Sequence, residues 1–347
     1  MIILYNFYDL TIDDLSKILV DQGYKKFNAL QVFEWVYAKS VFDFEKMTNV
    51  SKELKAYLGE TFSLDRFKAL THQQSQDGTQ KFLFELYDGF SIESVLMLQD
   101  YGVSLCVSSQ VGCNMGCSFC ASGLKYKNRN LSAGEMVLQV LSAEQLSGQK
   151  VTHLVVMGTG EPFDNYDAVI KFIKIVNDPK GLQIGQRHIT VSTCGIVPNI
   201  YKYADEPIRS NLAISLHAPN DELRTKIMKI NKKYPLSEII DACRIYFEKT
   251  SRRITFEYIM LSGVNDSLDL ADQLSDLIRG LNAYVNLIPY NFVKEFGYER
   301  TDMKRAMQFY DRLIKRGINA IMRKEQGGDI DAACGQLRMK TESENNG

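Results

Sequence analysis

Three cysteines are the strongest chemical signal in this chain of 347 residues. Cys113, Cys117 and Cys120 form CNMGCSFC, a C-x3-C-x2-C spacing that places three thiols in one loop. Three thiolates can bind three irons of a [4Fe-4S] cluster and leave the fourth iron open to another ligand. A tetrahedral structural zinc needs a fourth protein ligand, and no His or Cys follows at close spacing. The spacing therefore predicts an iron–sulfur cluster, with a zinc knuckle or buried free thiols as the alternatives.

A glycine-rich turn with one carboxylate, GTGEP, occupies residues 158–162. Its glycines allow the backbone to approach a ligand, and Glu161 can accept hydrogen bonds from an ammonium group. A GxGE segment alone is more typical of an ordinary strand-to-loop turn. Its position after a predicted strand, in a chain with the three-cysteine loop, favours the binding interpretation.

Repeated βα units must position these residues. From Ser104 onward, β-branched runs alternate with helical stretches; the runs are SLCVSS, HLVVMG, HITVSTCG, LAISLH, ITFEYIML, AYVNLIPYN and INAIMRK. Because each parallel strand needs a crossover before the next, the pattern predicts a parallel sheet with about six units. We predict an α/β fold, an open partial (β/α)6 barrel, with a doubly wound sheet as the alternative. In both folds the site lies at the carboxyl ends of the strands.

The pattern also divides the chain. Residues 1–75 have helical periodicity and predict a small accessory domain, and residues 76–103 predict a β-hairpin extension that turns at Asp88-Gly89. Residues 104–337 form the predicted barrel, and residues 338–347 a flexible tail.

Composition excludes several classes of protein. Forty-one basic and forty-two acidic residues give a net charge of -1, so the whole molecule is not a general nucleic-acid binder. No apolar run approaches the roughly 20 residues of a membrane span, and the N-terminus lacks a basic leader segment. Seven cysteines are too few and too clustered for a disulfide scaffold. The sequence predicts a cytoplasmic protein with no membrane partner.

The cysteine loop resembles the signature of the radical S-adenosyl-L-methionine (SAM) superfamily, which places CxxxCxxC after the first strand of a partial barrel. Phe119 fits, since an aromatic residue commonly precedes the last cysteine, and the turn containing Glu161 resembles the motif that grips the methionine amine. The resemblance implies that SAM chelates the open iron and is cleaved by one electron to a 5′-deoxyadenosyl radical.

From about Phe84 to Leu337 the chain more closely resembles the radical SAM 23S ribosomal RNA (adenine-C2) methyltransferases. The similar segments are SLCVSSQVGC, STCG, SLHAPND and GGDIDAACGQL. The resemblance implies 23S rRNA as substrate, tRNA as a further candidate, two SAM per turnover, and an electron donor such as flavodoxin or ferredoxin. We expect a monomer.

The resemblance also implies residue roles. Cys334 accepts a methyl group, the methyl loses hydrogen to the radical and adds to adenine, and Cys106 then releases the product by forming a disulfide with Cys334. Glu93 corresponds to the proton acceptor, although a glutamate on an alternating strand usually faces solvent. The implied SAM contacts are Gly160, Glu161, Ser192, Ser215, Leu216, His217 and Asn291.

With an RNA substrate implied by the resemblance, the accessory domain of residues 1–75 is a candidate for RNA binding, and RNA contact is also expected from two local basic segments. One runs from Arg224 to Lys233, and the other contains Lys125, Lys127 and Arg129. Tyr126 and Tyr234 are interleaved with them, and aromatic rings can stack on bases. The alternative is that both segments are solvated helix faces.

Two other functions remain alternatives. The sister family methylates adenine C8 with the same cluster and cysteines, but it typically lacks the residues matching Pro162 and Cys194, which favours C2. A non-catalytic metal-binding RNA module is the alternative of another class. The chain departs from the C2 family at Tyr126 and Lys127, where Gly-Phe usually precedes the (Lys/Asn)-Arg-Asn segment.

Overall fold

A ten-stranded sheet is the centre of the computed structural model, which describes residues 4–124, 126–330 and 337. The strands are β1 (Tyr5–Asn6), β2 (Phe62–Ser63), β3 (Lys68–Gln74), β4 (Gln80–Glu85), β5 (Ser91–Gln99), β6 (Gly102–Cys106), β7 (Gln110–Val111), β8 (Arg129–Asn130), β9 (His153–Val156), β10 (Ile189–Thr193), β11 (Asn211–Ser215), β12 (Ile254–Met260), β13 (Ala283–Pro289) and β14 (Ala320–Met322). The order in the large sheet is β14-β13-β12-β11-β10-β9-β6-β5-β4-β3.

Ten α-helices surround the sheet in the described residues. They are α1 (Ile12–Asp21), α2 (Lys26–Phe33), α3 (Lys52–Thr61), α4 (Ala133–Ser147), α5 (Tyr166–Asn177), α6 (Val197–Asp205), α7 (Asp221–Ile227), α8 (Leu236–Thr250), α9 (Leu268–Leu277) and α10 (Met303–Lys315). None of them is both long and apolar enough to cross a bilayer.

The predicted partial barrel is confirmed by the strands from β6 to β14. All neighbours in this half are parallel, and each strand is added beside the one before it in sequence. A doubly wound sheet reverses its strand order at a switch point, and this sheet has no such reversal. Six helical crossovers connect the seven parallel strands, so the six βα units are present and β14 follows the last of them.

One crossover was missed. The sequence between HITVSTCG and LAISLH has no clear helical pattern, so no helix was located there, but α6 fills this interval. Pro198 lies in its first turn, where a missing N–H is harmless because that donor has no partner inside the helix. Pro198 therefore marks the start of α6.

An antiparallel extension precedes the barrel. The hairpin of β4 and β5 turns at Asp88-Gly89 as predicted, and Gly89 has φ of 82°. β3 pairs with the outer edge of β4 and lies before residue 76, where the sequence analysis began the extension.

The helical periodicity predicted for residues 1–75 corresponds to α1, α2 and α3. Thr11 and Asp14 form a reciprocal cap at the start of α1. The helices share one apolar core with the barrel, because Phe7 and Phe33 belong to the same buried cluster as strands β9 to β13.

Candidate active site

A cavity of about 720 Å³ lies at the carboxyl ends of the parallel strands, and we call it the strand-end cavity. Cys106, the predicted resolving thiol, lines it. Most of the residues predicted from sequence to bind the cluster or SAM do so too; these are Cys113, Cys117, Cys120, Gly160, Glu161, Ser192, Ser215, His217 and Asn291. Glu93 and Leu216 are not on its wall. Cys334 lies outside the described residues.

The cysteine loop leaves the barrel after β6 and is closed at its base by the pairing of β7 with β8. Burial raises the pKa of Cys113 to about 12, and the nearby Cys120 adds to this shift. Burial, Cys120 and Cys113 raise the pKa of Cys117, whose thiol is enclosed although the residue as a whole is half-buried. Three thiolates this close need a compensating positive charge, which coordinated iron supplies. The donor set therefore fits a cluster.

Among the described residues, no group of three or more His, Cys, Asp or Glu side chains is arranged to hold one ion. Phe119 packs edge-on against His217, with ring centroids 4.9 Å apart, and encloses the loop from the barrel side.

Gly160 and Glu161 form the floor of the strand-end cavity after β9. Gly160 has φ of 114°, and a Cβ there would lie 2.7 Å from the side chain of Gln110, so only glycine fits. The Glu161 carboxylate accepts from the N–H groups of Phe163 (2.9 Å) and Cys194 (2.8 Å). Burial raises the pKa of Glu161, and these hydrogen bonds oppose the shift. The carboxylate is thus fixed in position at the end of two strands.

Ser192 and Ser215 are neighbours at the ends of β10 and β11, with their hydroxyl oxygens 3.3 Å apart. His217 follows with φ of 60°, which turns its ring toward β12. Its Nδ1 accepts from the N–H of Ile259 at 3.0 Å. Burial, aided by Arg224, lowers the pKa of His217 to about 3, so the ring is neutral and carries its proton on Nε2. That N–H is a hydrogen-bond donor for a ligand.

Leu216, which was also predicted to contact SAM, makes its hydrogen bonds through its backbone. Its side chain is fully buried in the core, its N–H donates to the carbonyl of Glu257 at 3.1 Å, and its carbonyl accepts from Arg224.

The expectation that Arg224 contacts RNA is wrong. Its side chain is completely buried and donates to the carbonyls of Cys194 (2.7 Å), Leu216 (3.0 Å) and Ser215 (3.1 Å). These strand ends would otherwise leave carbonyls without partners, and one guanidinium has enough donors for all three. Arg224 therefore supports the wall of the site.

The other cations of that segment are exposed; they are Lys226, Lys229, Lys232 and Lys233. Lys229 lies against the cysteine loop, since a Cβ at Gly116 would be 3.5 Å from its Cδ. In the second segment, Lys127 pairs with Asp164 at 2.6 Å and Arg129 with Glu135 at 2.8 Å. Tyr126 is 87% exposed beside them. Lys125 lies outside the described residues.

Glu93 does not face solvent. It is buried on β5, 3.1 Å from the equally buried ammonium group of Lys81. Alternation along the strand puts Glu93 on the face of Val95 and Met97, which line the strand-end cavity. The usual solvent orientation fails because β5 is buried from Ser91 to Met97.

Cys106 lies at the end of β6, nearly buried, and packs with Val95 and Met97. Residues 325–328 and Ile330 also line the strand-end cavity. Gly327 donates to Asp77 at 2.8 Å, and Gln326 donates to the carbonyl of Leu98 at 3.1 Å. The segment that leads to Cys334 is thereby held against the antiparallel extension.

Glu257 was missed by the sequence analysis. It lies in the middle of β12, lines the strand-end cavity, and accepts from the Asn286 amide at 2.8 Å. Burial raises its pKa to about 7, against the attraction of Arg323 and the hydrogen bond from Asn286. A single glutamate within the apolar run ITFEYIML was the available signal, because parallel strands are buried on both faces.

Known proteins resemble both parts of the chain. The radical SAM superfamily profile matches residues 107–274, and the ribosomal RNA large subunit methyltransferase N-terminal domain profile matches residues 5–64. A probable dual-specificity RNA methyltransferase RlmN of Geobacillus kaustophilus is 55% identical, covering 97% of this chain and 93% of the relative. Its namesake in Bacillus subtilis is 51% identical, covering 96% and 93%. The crystal structure of a radical SAM methyltransferase from Sphaerobacter thermophilus matches with 44% identity and a TM-score of 0.91, covering 96% of this chain and 98% of that one.

Proposed function

This chain belongs to the RlmN family of radical SAM RNA methyltransferases, and from that premise we propose that it methylates C2 of an adenine in 23S ribosomal RNA. The observation that carries the proposal is the strand-end cavity, into which the three-cysteine loop, Glu161 and Cys106 all open. A binding module without activity would have no need of a separate thiol on the wall of the cluster site.

The family uses a [4Fe-4S] cluster and SAM, which together supply a methyl group and a one-electron route to a carbon radical. In our proposal, Cys113, Cys117 and Cys120 hold the cluster. The Glu161 carboxylate receives the ammonium group of SAM, and the Nε2–H of His217 donates to the same ligand. The remaining contacts come from the backbone of Gly160 and Leu216 and from the side chains of Ser192, Ser215 and Asn291.

Two thiols act in turn. Cys334 is methylated first, and the methylene carbon derived from that methyl forms a bond to adenine. After the adduct has given one electron back to the cofactor and lost its C2 proton, the thiolate of Cys106 attacks the sulfur of Cys334, so that the S–S bond forms as the S–CH2 bond breaks. The carbon keeps the electron pair of that bond and takes up a proton, which leaves a methyl group on the released RNA. Ile330 lines the strand-end cavity four residues before Cys334, and four residues of chain span at most about 14 Å. The chain between Ile330 and Cys334 is therefore short enough for the thiol of Cys334 to act in the strand-end cavity.

Glu93 is the proposed acceptor of the C2 proton. Its carboxyl group lies 3.1 Å from the buried amino group of Lys81 inside the extension, on the strand face that also carries Val95 and Met97. To take a proton from an adenine in the strand-end cavity, the Glu93 side chain must move toward it, or an intervening group must pass the proton on.

Further parts of the proposal rest on the resemblance and on the names of the relatives. They are dual specificity for 23S rRNA and tRNA, two SAM per turnover, and reduction by a flavodoxin or ferredoxin. A monomeric state, a cytoplasmic location and the division into domains at residues 75, 103 and 337 are proposed on the same basis.

The test is the product of Cys106→Ala. This variant should accept the methyl group, add to adenine and then stall, so the protein should be isolated covalently bound to RNA. Denaturing electrophoresis before and after nuclease treatment measures this, and Cys243→Ala, a buried helix cysteine away from the strand-end cavity, is the matched control. Absence of a nuclease-sensitive shift in Cys106→Ala contradicts the assignment of Cys106.

The position of methylation needs a second measurement. Mass spectrometry of adenosine from the treated RNA, compared with C2-methyl and C8-methyl standards, distinguishes the two enzyme families. Pro162 and Cys194 predict the C2 product, and a C8 product would place the chain's activity with the sister family.

A further inference from the structure

A second large cavity lies at the opposite end of the barrel, and we call it the basal cavity. It has a volume of about 980 Å³ and shares no lining residue with the strand-end cavity. Its wall includes Thr190, Asn211, Thr255 and Tyr284, which are the first or second residues of strands β10 to β13. The basal cavity therefore opens at the amino ends of the same strands whose carboxyl ends form the candidate active site.

The basal cavity is strongly cationic. Arg187, Arg209, Lys249, Arg252 and Arg253 line it, together with one carboxylate, Glu206. This is a local concentration of charge, because the whole chain has a net charge of -1. Like charges gathered at one opening raise the local potential and attract an anion.

Three of these cations lack a carboxylate partner in the described part of the chain. Arg187, Arg209 and Arg253 are exposed, and none has a salt bridge to a carboxylate within residues 4–124 and 126–330. Lys249 differs, since it pairs with Asp205 at 2.5 Å. Arg252 is half-buried and held in place by Asn211, to which it donates at 2.7 Å. The basal cavity thus combines a positioned guanidinium with three guanidinium groups available to an outside anion.

An aromatic ring lies among the cations. The guanidinium of Arg253 stacks over Tyr284 at 4.3 Å from the ring centroid. Guanidinium planes and aromatic rings are the surfaces on which unpaired RNA bases stack, next to cations that bind phosphates. A free inorganic anion would use only the charges, whereas RNA would use both features.

We propose that the basal cavity binds the phosphate backbone of the RNA substrate at nucleotides distant from the one that is methylated. Strand β10 has five residues and spans about 16 Å, which sets the approximate separation of the two sites. A folded RNA that presents one loop to the strand-end cavity can follow the outside of the barrel to its other end. The basal cavity then adds affinity and orientation for large RNAs only.

The experiment compares two charge-reversal variants and two RNAs. Arg187→Glu/Arg253→Glu changes the basal cavity, and Lys174→Glu/Lys315→Glu makes the same change in charge at exposed positions on α5 and α10. The RNAs are a domain-length 23S rRNA transcript and a short hairpin that carries only the target adenine and its flanks. Circular dichroism, iron content and SAM binding check that each variant is folded.

For the long transcript, the basal variant should raise Kd by on the order of 10-fold or more relative to the control. The slope of log Kd against log salt concentration should fall by about two, one for each lost phosphate contact. Binding and methylation of the short hairpin should match those of the control variant.

Two results would overturn the proposal. One is an equal Kd for the long transcript in the basal and control variants, and the other is an equal loss on the long and short RNAs. The choice of ribosomal RNA as probe rests on the proposed function, whereas the test of the basal cavity is a comparison between variants. Failure of the wild-type protein to bind the transcript would therefore show that the proposed substrate is wrong, and it would not be a result about the basal cavity.

Discussion

At the scale of single residues, two backbone N–H groups hold the Glu161 carboxylate in a fixed position at the strand-end cavity. Replacing it by glutamine keeps the shape but removes the charge and turns an amide toward the N–H of Cys194 or Phe163. We expect Glu161→Gln to retain the cluster, because the three thiols are unchanged, and to weaken SAM binding by roughly 10- to 100-fold, the effect of losing one charged hydrogen bond. Calorimetric titration with SAM measures this. An unchanged dissociation constant would show that the ammonium group binds elsewhere.

Glu257 makes a pH-dependent contribution to stability. Its pKa is about 7 in the folded protein and near 4.5 when unfolded, so the folded state keeps a proton that the unfolded state releases. The contribution of this proton to the free energy of unfolding is complete below about pH 4.5. It decreases by about 3 kcal/mol as the pH rises from there through 7.

We therefore expect Glu257→Gln to be more stable than the wild type at pH 8 and similar to it at pH 5. Urea unfolding at both values tests this, with Glu248→Gln on the exposed face of α8 as control. A wild type that loses no stability relative to Glu257→Gln between these pH values would show that the carboxyl is ionised throughout.

Spacing predicted the cysteine loop, and the family resemblance suggested the SAM contacts; most of these residues line one cavity because they lie in short segments after strands. Arg224 and Glu257 could not be placed in the same way. A charge on a helix or strand is usually exposed, and only the three-dimensional arrangement of the surrounding carbonyls and strands shows that these two are buried.

At the scale of elements, the turn between β3 and β4 holds the segment that leads to Cys334. The pKa of Asp77 is about 2; its slight burial would raise it, but hydrogen bonds from Gly327, Thr79 and Ser75 outweigh this. Asp77→Ala removes the acceptor for Gly327 and should release the segment without changing the strand-end cavity floor.

We expect a lower kcat for Asp77→Ala with an unchanged Kd for SAM, together with faster amide hydrogen exchange at residues 325–329. Asp100→Ala, in the exposed turn before β6, is the matched control. Normal kcat and normal exchange in Asp77→Ala would mean that other contacts of the segment are sufficient.

The elements themselves were largely predictable. Alternating apolar runs and helical stretches indicated the six βα units, and Asp-Gly indicated the hairpin turn. α6 was missed because its sequence, VPNIYKYAD, begins with a β-branched residue and a proline and lacks a polar cap. β3 was missed because KALTHQQ is largely polar, has no buried residue, and follows the N-terminal helices after a short connection.

At the scale of the whole molecule, the N-terminal helices and the barrel meet at the first turn of α4. The carboxylate of Asp9 accepts from the N–H of Gly134 at 2.7 Å and from the hydroxyl of Ser132 at 3.1 Å. It lies at a helix N-terminus, where a negative charge is favoured. The sequence divided these parts at a boundary in composition, but it did not show that they share one core.

Gly134 is the test of this junction. A Cβ there would lie 2.7 Å from the backbone nitrogen of Asp9 and 2.8 Å from the carbonyl carbon of Tyr8, and backbone atoms cannot move aside as a flexible side chain can. Gly134→Ala should therefore displace the N-terminal segment from α4. Overpacking of this kind costs about 1–3 kcal/mol, more than the gain of about 1 kcal/mol from alanine in a helix.

Gly59→Ala is the matched control, because Gly59 lies in α3 with nothing within 4 Å of its Cβ position. It should leave stability unchanged or raise it by about 1 kcal/mol. Chemical unfolding should show Gly134→Ala as the less stable variant, with the loss spread over α1 to α3 and the barrel in one transition because their core is continuous. Separate transitions for the two parts, or equal stability of the two variants, would show that the helices and the barrel fold independently.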